Sequence, residues 1–246
     1  MITDSFEDYL GSSINKESHI FYRDLILNFT DITHFELCRY HSPPPLQKRI
    51  TINEAEQDLI DKALEIRKDG VTPFWPALFS TCLKEGWVSE NVVTAALFHN
   101  GPGQIETKST ALLKSNLLTK IIEKDERNVG LSSRLKHKNG SSYHLALLDF
   151  RSEVTPQNTK LIKTVCTKLF KGGFVLIDSG DSYHACGLDL LSEEERLDFL
   201  AKSLMLAPII DTAYIGHQLQ QPFSSIRISK GGGRNKVPRI VAATIS

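Results

Sequence analysis

No two cysteines in this 246-residue chain stand at CxxC spacing, and no apolar run approaches the length a membrane helix needs, roughly 18 to 20 residues. Cys38, Cys82, Cys166 and Cys186 are scattered, which excludes a CxxC-type zinc site and reads as small, reduced, partly buried thiols in the cytoplasm. The first ten residues, MITDSFEDYL, carry acids in place of an apolar core, so no secretory signal is expected. Internal repeats and low-complexity tracts are missing too, and so is any net charge, with 29 Lys+Arg against 29 Asp+Glu. What remains, 41% hydrophobic and 24% charged residues, is the composition of a soluble globular protein with room for one large domain or two modest ones.

The zero balance hides an asymmetry. Residues 1–130 hold 14 Lys/Arg against 19 Asp/Glu, and residues 131–246 hold 15 against 10. Half of the ten acids in the second part cluster in one helical segment, from Asp189 to Asp198. The others, Asp149, Glu153, Asp178, Asp181 and Asp211, each flank an apolar run that reads as a strand. Acids kept beside strands in a basic background are the pattern of metal ligands facing a polyanion.

Periodicity divides the chain in the same place. In the first part, helical spacing predicts helices over 52–69, over the TPFWPALFSTCLKEG segment, over 89–98 and over 107–126, with a strand near THFELCRY and a surface turn at HSPPPLQKR. TPFWPALF, with Phe74, Trp75 and Phe79, reads as core. The second part reads β-α-β-β-α-β-β: SYHLALLDF is a strand, and Thr155-Pro156 opens a helix that ends on Gly172-Gly173. FVLID and SYHACG pair across a tight turn, and Ser192 and Glu195 stand at capping-box spacing before the next helix. SSIRIS, the KGGGRNK turn and VPRIVAATI read as a final hairpin. The expectation is an α+β fold in which residues 131–246 form a sheet with packed helices, preceded by a mainly helical region over 1–130 that can pack with it as one unit.

Three segments put polar residues at strand ends: Asp149 in LLDFRSE, His184 in SGDSYH and Asp211 in IIDTAYIGH. A hard divalent cation takes carboxylate oxygens from such positions, and a histidine after a Ser-Gly turn suits a phosphate oxygen. Arg227, Lys230, Arg234 and Lys236 follow with positive charge. Alone each is ordinary; a Ser-Gly-Asp-Ser stretch can be a plain hairpin turn and His184 a surface group.

The order of these features resembles the archaeo-eukaryotic primase superfamily, which includes the primase-polymerases, over roughly residues 140–245. The resemblance implies an RRM-like primase-type sheet, with Asp149 and Asp211 as catalytic carboxylates holding Mg²⁺ or Mn²⁺, and His184 of the Ser182-Tyr183-His184 motif on the incoming nucleotide. Ser179, Gly180, Ser182 and Arg227 would share in nucleotide binding, and Lys230, Arg234 and Lys236 would contact nucleic acid. One departure stands out: the family's first motif has two acids separated by one residue, and the second position here is Arg151. Glu153 on the same face lies about 13 Å from Asp149 in an extended strand, too far to replace it; Asp178 or Asp181 could supply an oxygen.

Two functions follow as expectations. One is a metal-dependent nucleotidyltransferase of primase-polymerase type, working with nucleoside triphosphate on single-stranded or primed template. The other is a non-catalytic primase-like subunit that binds nucleotide or nucleic acid beside a protein partner held by the helical first part. By analogy with the family, either would serve DNA replication or repair, a mobile element or antiviral defence.

Overall fold

The computed structural model describes residues 4–40, 51–70, 72–97, 104–125, 127–230 and 235–245, and the chain divides into two compact units, Met1–His41 with Gly103–Ser246, and Ser42–Pro102. The first unit is built on strands β1 (Ile32–Tyr40), β2 (Gln104–Ser109), β3 (Asn128–His137), β4 (Ser142–Asp149), β5 (Phe174–Asp178), β6 (Tyr183–Leu191), β7 (Ser225–Arg227) and β8 (Arg239–Thr244). They form one antiparallel sheet in the order β2-β1-β3-β4-β6-β5-β8, with β7 attached to β3.

Alternation along the strands sends side chains to both faces, and helices cover both. On one face α2 (Ser18–Asn28) and α6 (Leu117–Lys124) set Phe21, Leu25, Ile26, Leu118 and Ile122 against Leu145 and Leu147 of β4 and Val175 and Ile177 of β5. On the other face α7 (Pro156–Leu169), α8 (Glu193–Ser203) and α9 (Thr212–Leu219) set Ile162, Cys166, Leu200 and Ile215 against Ala146, Leu148 and Leu176. All four cysteines are buried and free. The caps read from sequence are present: the Thr155 side chain accepts from Asn158 N at 3.1 Å, and Ser192 and Glu195 close a reciprocal box at 3.2 and 2.8 Å. The outer edge of β8 is sealed by the chain after α1 (Asp4–Gly11), through Asn15 N to Ile240 O and Ser18 N to Pro238 O.

The second unit holds α3 (Glu54–Ile66), α4 (Phe74–Glu85) and α5 (Glu90–Leu97) around Leu59, Ile60, Leu78, Cys82 and Val92. Pro76 is accommodated because it lies in the first turn of α4, where a backbone N–H has no helical partner in any case. Phe74 and Trp75 pack against this core.

Several expectations are corrected. The helix expected over 107–126 is α6 alone at its C-terminal end; β2 and a short 3₁₀ segment precede it, and Asn116 at φ 56° breaks the run. SSIRIS and VPRIVAATI do not form a hairpin: β7 pairs with β3, and β8 with β5. Residues 231–234 of the intervening loop, and the HSPPPLQKR turn from its first residue to Ile50, lie outside the described residues. Apart from these corrections, helices pack on both faces of the sheet, and those on one face, α1, α2 and α6, come from the first part of the sequence.

One irregularity shapes the molecule. Residues 134–136 of β3 pair with β4, but residues 130–132 of the same edge pair with β7. β3 and β4 therefore part company, and β7 occupies the gap. Beside that gap lie the C-terminal ends of β4 and β5 and the N-terminal end of β6.

Candidate functional site

Asp149 is the last residue of β4 and stands directly opposite His184 of β6; both follow the parity of Leu147 and Cys186, whose face packs α2 and α6. His184 Nε2 lies 3.7 Å from an Asp149 carboxylate oxygen. Only 6% of His184 is exposed, and its Nδ1 has no hydrogen-bond partner among the described residues. Burial pushes its pKa down to about 3, with the Arg227 charge adding in the same direction, so the imidazole is neutral at pH 7.

Beyond Asp149 the chain keeps one more antiparallel bridge. Phe150 pairs with Ile210, Arg151 N donates to Ile209 O at 2.8 Å, and Asp211 N donates to Asp149 O at 3.0 Å. The two aspartates expected to share a metal are thus brought side by side. Like charges opposite one another repel, and they call for a cation between them. Arg151, two residues along from Asp149, stands beside one of them: its Nη1 is 3.8 Å from Asp211 Oδ2. The other Asp211 oxygen caps α9, accepting from Ala213 N and Tyr214 N at 2.9 and 3.0 Å.

The Ser179–Ser182 turn is closed by Ser179 N to Ser182 O at 2.9 Å and by Asp178 Oδ1 accepting Gly180 N at 2.6 Å. Gly180 at φ 108° needs its missing side chain there. Tyr183 packs below the site: it is fully buried, and its hydroxyl joins Thr159 Oγ1 at 2.8 Å and Thr155 O at 2.9 Å, fixing the start of α7. The Arg227 guanidinium donates to the carbonyls of Ser179, Ser229 and Lys236, holding the turn to β7 and to the approach of β8. Lys230 and Lys236 meet Gly180, Asp178 and Arg239 around a hollow of about 340 Å³. Arg234 lies outside the described residues. Asp181 and Glu153 are exposed, and Glu153 falls beyond the end of β4.

Among the described residues no three His, Cys, Asp or Glu converge as metal ligands. The donors at the switch from β4 to α9 are two carboxylates, one of them engaged as a helix cap and facing an arginine. Two hard cations, each taking about six oxygens, do not fit that set. A hollow of about 510 Å³, lined by Phe170, Phe199 and Leu190 together with Lys171, Asp189, Glu195, Asp198 and Lys202, includes none of these residues.

The profile of the family described as "AEP-like: Archaeo-eukaryotic primase 1D-like" matches residues 107–239. The chain belongs to this archaeo-eukaryotic primase-like family. No curated protein and no solved structure gives a significant match. The family is one of nucleotidyltransferases that generally depend on metal, and the α+β sheet with helices on both sides agrees with a primase-type fold. No helix among the described residues is long and apolar enough to cross a membrane.

A second polar string in this primase-like unit has the residue types of a hydrolase triad and a different role. Ser133 Oγ is 3.1 Å from His144 Nδ1, and His144 Nε2 is 3.0 Å from Glu193. Ser133 is buried and its hydroxyl also accepts Ser224 N, so the string ties β3, β4 and α8 to the segment before β7. Sequence reading missed it because the three residues are far apart in the chain and no local motif joins them.

Burial pushes the His144 pKa down to about 4, the charges of Arg196 and Arg134 adding to the effect against the pull of Glu193. His144 and His184 are therefore neutral when folded and take up a proton near pH 6.5 when unfolded. Their contribution is complete above pH 6.5 and is lost as pH falls toward 4 for His144 and toward 3 for His184, at about 1.4 kcal/mol per pH unit for each. Urea titrations at pH 7 and pH 5 should show a stability difference that shrinks by about 2 kcal/mol in either His→Gln variant. An unchanged pH difference would mean that these imidazoles are not buried and neutral.

Proposed function

We propose that this chain is a nucleotide- and nucleic-acid-binding member of the primase-like family in which Arg151 replaces part of the charge that metal ions supply in its relatives, so that binding has outlasted polymerisation. The observation that carries this reading is the Arg151–Asp211 contact at 3.8 Å, a built-in cation in the family's second carboxylate position. His184 presents a neutral ring with an unpartnered buried nitrogen, and the Gly180 turn approaches a triphosphate without side-chain obstruction. Lys230 and Lys236, with Arg234, supply positive charge for the phosphates of a nucleic-acid strand.

A second reading, a nucleotidyltransferase working with Mg²⁺ or Mn²⁺ at a reduced site, is favoured by the side-by-side placement of Asp149 and Asp211. Asp149 and Asp211 would hold such an ion, which would supply charge neutralisation for phosphoryl transfer. The Arg151–Asp211 pair is partly exposed, worth about 0–1 kcal/mol, and could open to admit it.

Calorimetry with ATP and dATP, with and without Mn²⁺, together with incorporation on a primed single-stranded template, separates the two. The binding reading expects metal-independent nucleotide affinity, no incorporation by the wild type, and stronger Mn²⁺ dependence in Arg151→Asp. Incorporation by the wild type that vanishes in Asp211→Asn would establish the enzyme instead. A wild type that binds neither nucleotide nor oligonucleotide overturns both.

A further inference from the structure

Away from the strand-end aspartates, α6 and the neighbouring strand ends border a shallow, open groove of about 630 Å³. Its walls are Leu117, Lys120, Ile121 and Lys124 of α6, Arg39 of β1, and Asp125 and Arg127 ahead of β3. Among the described residues that line it are four cations and one carboxylate, Asp125. Asp125 is held between the arginines, Arg39 Nε at 2.6 Å and Arg127 Nε at 2.9 Å, while Arg39 also reaches Glu106. These bonds fix both guanidinium groups in place. Among the described residues Lys120 and Lys124 have no ion-pair partner, and at i,i+4 on one short helix they repel each other. A fixed arginine pair and two exposed, unpaired lysines, beside a floor of Leu117 and Ile121, present a positive surface that suits a polyanion.

The groove and the candidate site lie toward the same end of the sheet. Arg39 pairs with Val129 across β1–β3, and the next residue, Gly130, pairs with Arg227 across β3–β7. Two strand spacings, roughly 10 Å, separate the backbones of Arg39 and Arg227 at one end of the sheet.

We propose that this groove binds the phosphodiester backbone of a nucleic-acid strand, with Lys120 and Lys124 as the phosphate contacts and Arg39 and Arg127 as the fixed positive wall. The proposal rests on the nucleic-acid-binding reading above and gives it a location that the motif residues do not.

The test is fluorescence anisotropy of labelled 20-mer deoxythymidine and uridine oligonucleotides and of a 20-base-pair DNA duplex, titrated with wild type and with Lys120→Gln/Lys124→Gln between 50 and 200 mM NaCl. Both lysines are exposed, so the double variant should fold. The expected result is about tenfold weaker binding, with the slope of log affinity against log salt reduced by about 1.4 for a single strand or 1.8 for a duplex. ATP affinity of the same variant, read by calorimetry, should be unchanged. Oligonucleotide binding with unchanged affinity and slope would overturn the groove and leave the nucleic-acid reading intact. ATP binding without oligonucleotide binding would also remove the groove, whereas loss of both in the wild type removes the underlying function. A glutamate 20-mer binding as tightly as the oligonucleotides would overturn the assignment to nucleic acid.

Discussion

Arg196→Met should cost about 3–5 kcal/mol of folding stability and lower the melting temperature by roughly 10 °C. Arg196 is only 1% exposed, among the largest fully buried side chains of the protein. Its guanidinium donates to Gln218 O and Gln221 O, both at 3.1 Å, and to Glu193 at 2.7 and 2.8 Å. It therefore closes the end of α9 onto the start of α8. Methionine fills much of the volume but leaves Gln221 O without its arginine donor, Gln218 O with the long bond from Gln221 N, and Glu193 without its arginine. Glu193 is also the partner of His144, so the loss reaches into the Ser133–His144 string. A double-mutant cycle with Glu193→Gln should show coupling above about 1 kcal/mol. Both tryptophans, Trp75 and Trp87, lie in the Ser42–Pro102 unit, so unfolding of the sheet unit should be followed by circular dichroism and not by tryptophan emission. A stability change below 1 kcal/mol would show that the buried arginine is dispensable.

Arg227→Ala should weaken nucleotide binding more than tenfold, and Arg227→Lys should weaken it nearly as much. The equality is the informative part. An arginine acting as a point charge on a triphosphate is largely replaced by lysine, but a planar fork that binds carbonyls on three segments is not. Arg227 joins Ser179 O, Ser229 O and Lys236 O, so its removal frees the turn that presents Gly180 and His184. Hydrogen bonds from a charged donor contribute about 1.5–3 kcal/mol each, and chemical denaturation should record a loss of at least that size. His184 carries an independent signal: with the nearby positive charge gone, its pKa should rise, which imidazole NMR would read directly. Retained affinity in Arg227→Lys would return this residue to the role of a phosphate ligand.

Much of the architecture was legible in the sequence where local chemistry decides it. Thr155-Pro156, Ser192 with Glu195, and the apolar run FVLID specify their elements through capping and periodicity, whatever surrounds them. β2 was illegible because it is an edge strand with little burial; pairing with β1 makes it a strand, and its side chains carry no alternation. The partners of β7 and β8 were illegible for another reason: short range favours a hairpin, while the open edges of β3 and β5 win in three dimensions. At the site, sequence order identified Asp149, His184 and Asp211 as neighbours-to-be. It also flagged Arg151. It did not reveal that Asp211 would be drawn against Asp149 by the Phe150–Ile210 bridge, nor that Arg227 would turn its charge onto backbone carbonyls.

The place where the second unit enters the first has a consequence for how such proteins diversify. β1 and β2 are adjacent antiparallel strands, Arg39 opposite Gln104, a junction that a tight turn of a few residues could close. Here the connection carries the helical Ser42–Pro102 unit with its own apolar core. Because both attachment points belong to one pair of adjacent strands, enlarging or deleting the inserted unit requires no change of strand order or register in the sheet. The sheet residues around Asp149 and His184 and the inserted unit are therefore joined by connectivity that lets either change without moving the other's strands.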